Sequence, residues 1–195
     1  TPANITQTAD AGQCGAVVNY TAPTSTDNCA VTSFTSTHDS GDTFAVGTTT
    51  VTYTAVDAAG NQTTSSFTVT VTDDEAPAIA GMPTNINISN DAGICGAVAT
   101  WTDPTATDNC SVASFTGTHA SGTTFAVGTT TVTYTAVDVN GNQSTSSFTV
   151  TVTDDEAPVI ASAAQDETVE CDGAGNTAQL NAWLAANGNA GSASD

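Results

Sequence analysis

Lysine and arginine are missing altogether: the 195 residues carry 20 Asp plus Glu, two His and no Lys or Arg, for a formal net charge of -20. Phosphate binding runs on basic side chains and counterion release, so nucleic acid is excluded as a direct partner. The same absence removes a Walker lysine, an arginine finger and a Schiff-base amine, and with them most phosphoryl-transfer and amine chemistry. Aromatic residues are few, at 6%, and no apolar run approaches the ~20 residues of a membrane-spanning helix, so membrane insertion is not expected. What remains is a chain whose natural counter-ions are metal cations. Charged residues make up 10% and apolar ones 38%, which departs from the charge-rich signature of disorder and leaves enough to bury.

Sliding the chain by 81 residues lays Cys14 on Cys95, Cys29 on Cys110, Tyr53 on Tyr134, Gly60 on Gly141 and Asp73 on Asp154, and about 59 of 81 positions are then identical. This is a tandem duplication. The division expected is a repeat at 1–77 with a linker at 73–77, a second at 78–158 with a linker at 154–158, and at 159–195 the start of a different module, cut short. The sequence opens on no signal peptide, and the natural protein is expected to extend beyond both ends.

Within each repeat the hydrophobic period is two. Val51, Tyr53 and Ala55 alternate with Thr50, Thr52 and Thr54, and Phe67, Val69 and Val71 with Thr68 and Thr70, the mark of strands with one buried face. Between them Asp57-Ala58-Ala59-Gly60-Asn61 is a turn, so the two read as an antiparallel hairpin. Earlier strands are expected near Asn4–Thr8, Cys14–Tyr20 and Val31–Thr37. Short strands at this density make the fold all-β, two tandem immunoglobulin-like β-sandwich repeats. A single helix is expected, at Thr177–Ala186.

Three runs, Thr26–Phe34 (TDNCAVTSF), Phe44–Gln62 (FAVGTTTVTYTAVDAAGNQ) and Phe67–Pro77 (FTVTVTDDEAP), recur in the second copy and resemble hyalin repeats, the HYR modules of extracellular and cell-surface proteins. The resemblance covers roughly residues 1 to 160 and implies an immunoglobulin-like fold and a role in cell adhesion. Long bacterial arrays of such repeats resemble surface adhesins, including those of gliding Bacteroidota exported by type IX secretion, and a source of that kind is the expectation. Related modules often carry a further Cys on the last strand, where this chain has Ser66 and Ser147.

Two cysteines per repeat make Cys14–Cys29 and Cys95–Cys110 the parsimonious disulfides, each closing a loop of about 15 residues worth ~3 kcal/mol in the chain-entropy model. Thiolate metal chemistry is disfavoured, because no second Cys stands at ligand spacing, and structural disulfides place the chain outside the cell, at the cell surface. Cys171 is left over in the third module.

Acids supply the rest. Asp73, Asp74 and Glu75 precede Ala76 and Pro77 at the exit from the first repeat, and Asp154, Asp155 and Glu156 repeat them before Pro158. Three adjacent acids repel one another, with no cation in the chain to relieve them. Hard oxygen ligands at a hinge suit Ca²⁺, which takes six to eight of them. The run also looks similar to the acidic, Pro-ended calcium linkers of cadherins, without their full pattern. In an immunoglobulin-like sandwich the last hairpin turn faces the preceding module, so Asp138 and Asn142 are expected to approach Asp73, Asp74 and Glu75, with Asp108 and Asn109 as further candidates. The alternative is an acidic linker that is merely solvated.

No catalytic geometry emerges. His38, Asp39 and Ser40 are adjacent and point apart, so they cannot form a relay. Trp101 stands where the first repeat has Tyr20, a strand position rather than a sugar platform, and the abundant Thr reads as the wet face of strands. The expectation is a non-enzymatic spacer or stalk segment of a large adhesin or filament, stiffened by disulfides and calcium. Its partners are neighbouring repeats, with surface glycans and secretion or surface-attachment proteins as further candidates. The alternative is an ancillary glycan-binding module of a secreted hydrolase.

Overall fold

The computed structural model describes residues 2–160, 177–185 and 193–194. Cys171 and most of the expected third module lie outside the described residues. Two compact units are distinguished, Thr1–Thr84 with Trp101–Ser121 and Thr131–Phe148, and Asn85–Thr100 with Gly122–Thr130 and Thr149–Asp195.

In the first unit, β1 (Ile5–Thr8), β2 (Gly15–Val17), β3 (Val31–Ser36), β4 (Thr43–Ala45), β5 (Gly47–Asp57), β6 (Gln62–Thr72) and β7 (Ala78–Ala80) follow in order. The sheet runs β1-β6-β5-β3, with β1 parallel to β6 and the others antiparallel, while β2 pairs with β4 in a second layer. The β5–β6 hairpin fixes the frame, because its long ladder sets Val51, Tyr53, Phe67, Val69 and Val71 on one face. Ala16, Val18 and Phe44 from the β2–β4 layer close on that face, and all eight are buried. The alternating Thr face stays wet, so the sandwich is built on period two as the sequence implies.

The remaining strands are β8 (Ile86–Ser89), β9 (Gly96–Ala99), β10 (Thr105–Thr107), β11 (Val112–Gly117), β12 (Thr123–Ala126), β13 (Gly128–Asp138), β14 (Gln143–Thr153), β15 (Val159–Ile160) and, after α1 (Thr177–Ala185), β16 (Ala193–Ser194). The order β11-β13-β14-β8 reproduces the first sheet, and β9 pairs with β12 as β2 does with β4. In the first unit β10 pairs antiparallel with β7, Thr105 facing Ala80 and Thr107 facing Ala78. In the second, β8 runs parallel to β14 and β15 pairs with β16.

The copies differ in a half-buried side-chain network. Tyr134 donates its hydroxyl to Asp103 (2.7 Å) and accepts the Trp101 indole N–H (2.8 Å). The first repeat has Ala22 and Tyr20 at the positions of Asp103 and Trp101, and its Tyr53 hydroxyl is buried without a hydrogen-bond partner. Installing the second repeat's pair in the first, Tyr20→Trp with Ala22→Asp, is therefore expected to raise stability by about 1 kcal/mol. A thermal melt of the double variant against its parent checks it.

Candidate metal centre

The site is assembled from three short segments of the first unit. The first is the β13–β14 turn. Asp138 Oδ1 accepts the backbone N–H groups of Asn140 (2.9 Å) and Asn142 (2.8 Å), and Oδ2 accepts Asn142 Nδ2 (2.8 Å). Gly141, at φ +95°, supplies the left-handed step that brings these donors round. Asp138 is 2% exposed. Its burial raises the carboxyl pKa, but the Asn142 side chain and the turn's N–H groups outweigh that and hold it below the ordinary carboxylate value.

The second segment is the Asp108-Asn109-Cys110 loop. Asp108 Oδ1 accepts the N–H groups of Cys110 (2.9 Å) and Ser111 (3.2 Å), while Asn109 Nδ2 donates to Gln13 O (3.0 Å) and Asp73 Oδ1 (3.2 Å). The third is the linker. Asp73 Oδ2 accepts Asn140 Nδ2 (2.8 Å), and its carbonyl accepts Asn142 Nδ2 (3.1 Å). Ser144 Oγ donates to Pro77 O (2.6 Å).

These segments bring one oxygen each of Asp73, Asp108 and Asp138 within 4.8 Å of one another. At an effective dielectric of 20, a like-charge pair at such a distance repels by about 3 kcal/mol. Asp108 Oδ2 and Asn109 Oδ1 are both buried with no hydrogen-bond partner, which for a carboxylate and an amide oxygen is costly unless a cation supplies the missing contact. The donor set is all oxygen, which suits a hard divalent ion.

Other expected ligands stand elsewhere. Glu75 Oε2 accepts the Gly12 N–H (2.9 Å), and Asp74 lies exposed. Asn142 turns its amide nitrogen to Asp138 and Asp73, so it positions these acids. In the second unit Glu156 Oε2 accepts the Gly93 N–H (2.7 Å), Asp155 accepts the Ser89 hydroxyl (2.7 Å), and Asp154 accepts the Glu156 N–H (3.1 Å). Among the described residues only Asp73, Asp108 and Asp138 form a converging acidic triad. Sequence reasoning passed over Asn140 and Gln13. Asn140 is a position where the copies differ, with Ala59 in the first.

The expected disulfides are overturned. Cys14 is bonded to Cys110, with Cα atoms 4.6 Å apart, and Cys29 and Cys95 are free and exposed. The physical reason lies in the first repeat. Cys14 precedes Gly15, which registers with Ala45 just before β5, whereas Cys29 lies two residues before Val31, which registers with Asp57 at the far end of β5. An 11-residue strand spans about 33 Å, far beyond the ~7 Å a disulfide bridges. Since Cys110 is taken by Cys14, Cys95 cannot pair with it.

No relay forms at His38: its ring lies on Phe44, Asp39 accepts the Ser36 hydroxyl, and Ser40 Oγ accepts the Tyr20 N–H. The model of the HYR domain matches residues 1–71 and again 72–152. The chain belongs to the HYR domain family. It is 39% identical to hyalin of Lytechinus variegatus over 164 residues, covering 80% of this chain and 31% of that protein. Identity to hyalin of Strongylocentrotus purpuratus is also 39%, over 162 residues, covering 80% of this chain and 14% of the relative. The chain thus spans less than a third of either. Among solved structures, a protocadherin Gamma B7 fragment of extracellular cadherin domains 1–4 matches at TM-score 0.32 and 14% identity, covering 73% of this chain and 47% of that one. The HYR family places the chain outside the cell, and no helix among the described residues is long and apolar enough to cross a membrane. The HYR relatives named here are animal proteins, not the bacterial surface adhesins expected from the sequence.

Proposed function

We propose that this chain is a structural spacer of an extracellular adhesive protein, in which HYR sandwiches are joined in line and each joint is stiffened by a disulfide and a calcium ion. The carrying observation is the convergence of Asp73, Asp108 and Asp138 oxygens within 4.8 Å in a chain without Lys or Arg. A divalent ion there would take oxygens from those three acids, with Asn109, whose side-chain oxygen has no hydrogen-bond partner and whose amide nitrogen lies 3.2 Å from Asp73 Oδ1, as a further candidate ligand. Asn140 and Asn142 hold Asp73 and Asp138 in place by donating to them. The ion would replace mutual repulsion by attraction and so fix the linker; it supplies no reaction, and the chain is not an enzyme.

Binding to the ordered joint stabilises it by RT ln(1 + [Ca²⁺]/Kd), about 1.4 to 2.7 kcal/mol between ten- and hundredfold excess over Kd. Extracellular calcium modules have Kd values of ~10⁻⁴ to 10⁻³ M, matched to millimolar calcium outside cells. The test is thermal melting and small-angle scattering of the 195-residue chain with 5 mM-scale calcium, roughly tenfold the Kd, against chelator. The melting temperature is expected to rise in calcium and the distribution of maximum dimensions to narrow. A chain indifferent to calcium in both measurements has only a solvated acidic linker.

A further inference from the structure

The Asp73–Ala80 linker covers a defined face of the second repeat, and among the described residues nothing covers the same face of the first repeat. Shifted by 81 residues, Thr105–Thr107, which pair with β7, become Thr24–Thr26, and Ser144, which bonds Pro77 O, becomes Thr63. Burial differs in one direction at five pairs of equivalent positions around this face. Asp138 and Ala136 are buried where Asp57 and Ala55 are half-buried, and Asp108, Asn109 and Cys110 are half-buried where Asp27, Asn28 and Cys29 are exposed. A groove of about 290 Å³ runs between Thr24–Thr26 and Thr63, floored by Phe34 and Tyr53. Beside it a second hollow of about 150 Å³ is lined by Asp27, Asp57 and Asn61.

The local machinery of the joint is already set there. Asp57 accepts the N–H groups of Ala59 and Asn61 and the Asn61 amide, each at 2.8 Å, as Asp138 does in its own turn. Asn61 and the turn's N–H groups hold the Asp57 carboxyl below its ordinary value against the effect of burial. Asp27 Oδ1 accepts the Cys29 N–H at 2.8 Å, as Asp108 does that of Cys110. Ala30 and Ser111, each following its Cys, both take positive φ.

We propose that this face receives the tail of another HYR repeat joined in line ahead of the first, an inference that rests on the array reading but not on calcium. The tail has the chemistry seen once in this chain. A segment like Asp73–Ala80, acidic at its start and ending in a short strand like β7, adds that strand to the Thr24–Thr26 edge, its first Asp meets Asp27 and Asp57, and a cysteine turn like Gly12-Gln13-Cys14-Gly15 bonds to Cys29. The second repeat carries such a turn at Gly93–Gly96, held to Glu156 as Gly12 is held to Glu75. A covalent linker provides a millimolar effective concentration of tail, as it does for β7 on β10, and this favours an in-line repeat over a second molecule. The curated hyalins are each more than three times longer than the segment matched here. Bond formation takes two thiols to a disulfide, releasing two protons and two electrons to glutathione disulfide, which leaves as two glutathione thiols.

The test adds one further copy of residues 1–81 ahead of Thr1 of the full chain and refolds it in a glutathione redox buffer containing EDTA. Non-reducing peptide mapping is expected to find the added copy's Cys14 linked to Cys29 of the original chain. Amide exchange at Thr24–Thr26 is expected to slow on the order of tenfold or more relative to the 195-residue chain, and to remain slowed with Cys29→Ser. A Cys29 left free, a Cys29 linked to Cys95 of a second molecule, or unchanged exchange at Thr24–Thr26 would overturn the proposal. Because EDTA is present throughout, none of these outcomes bears on calcium, which the melts of the unextended chain decide separately.

Discussion

A chain carrying Cys110→Ser is expected to melt roughly 10 °C or more below its parent, the largest single effect in this molecule. The Cys14–Cys110 bond closes a sequence separation of 96, and the chain-entropy relation gives about 4.7 kcal/mol for a loop of that size. At roughly 2–4 °C per kcal/mol for a chain of this length, that becomes the stated fall. The variant is also expected to unfold in two separated steps, because the bond ties a turn before β2 to the loop before β11 and so couples their unfolding. Cys29→Ser and Cys95→Ser are the controls. Both thiols are exposed and unbonded, so each should lie within about 0.5 kcal/mol of the parent. Calorimetry of the three variants decides the matter, and a Cys110→Ser melt coincident with the parent would contradict the cross-repeat bond.

The sandwich was legible in the sequence because its determinants are local. The Val, Tyr and Phe alternation of 51–55 and 67–71 specifies which strand face is buried, and the Asp57–Asn61 turn specifies the hairpin between them. Even the acidic joint could be anticipated in part, since the position of a terminal hairpin turn follows from the fold. The disulfide could not. Pairing by proximity in sequence assumes that 15 residues cannot carry the chain far, yet Cys14 and Cys29 flank the two ends of β5, an 11-residue strand. A repeat that places one Cys at each end of a long strand can only pair with neighbours, a constraint that appears once register is known.

The same reasoning explains the site residues that sequence left out. Asn140 is unremarkable in a turn, and its value comes from Asp73, which the linker brings to 2.8 Å from its amide. Glu75 looked like a ligand by adjacency, but the chain turns at Asp73, whose Oδ1 accepts the Glu75 N–H (3.2 Å). Asp73 joins the triad while the Glu75 carboxylate is spent on Gly12.

Asp138→Ala is expected to cost several degrees of melting temperature and to abolish the response to calcium, whereas Asp57→Ala, at the same place in the first repeat, should cost less and leave that response intact. The difference is burial and company. Both carboxylates close a turn by accepting two backbone N–H groups and an Asn amide, so either Ala variant frees those donors. At Asp57 water can take them, while Asp138 is 2% exposed and its turn also holds Asp73 through Asn140 and Asn142, so donors left there pay desolvation. The pH dependence follows from the depressed carboxyl of Asp138. A carboxyl whose folded pKa lies below its unfolded value of about 3.9 contributes stability that is complete above that value and fades as pH falls through the folded one. Acid should therefore narrow the gap between parent and Asp138→Ala, and calcium stabilisation should vanish in the same direction as protons displace the ion from its carboxylates. Melts of parent, Asp57→Ala and Asp138→Ala across pH 3 to 7, with calcium and with chelator, measure all three terms. If Asp138→Ala keeps the parent's calcium shift, the ion is bound elsewhere, and the turn's carboxylate is a purely structural cap.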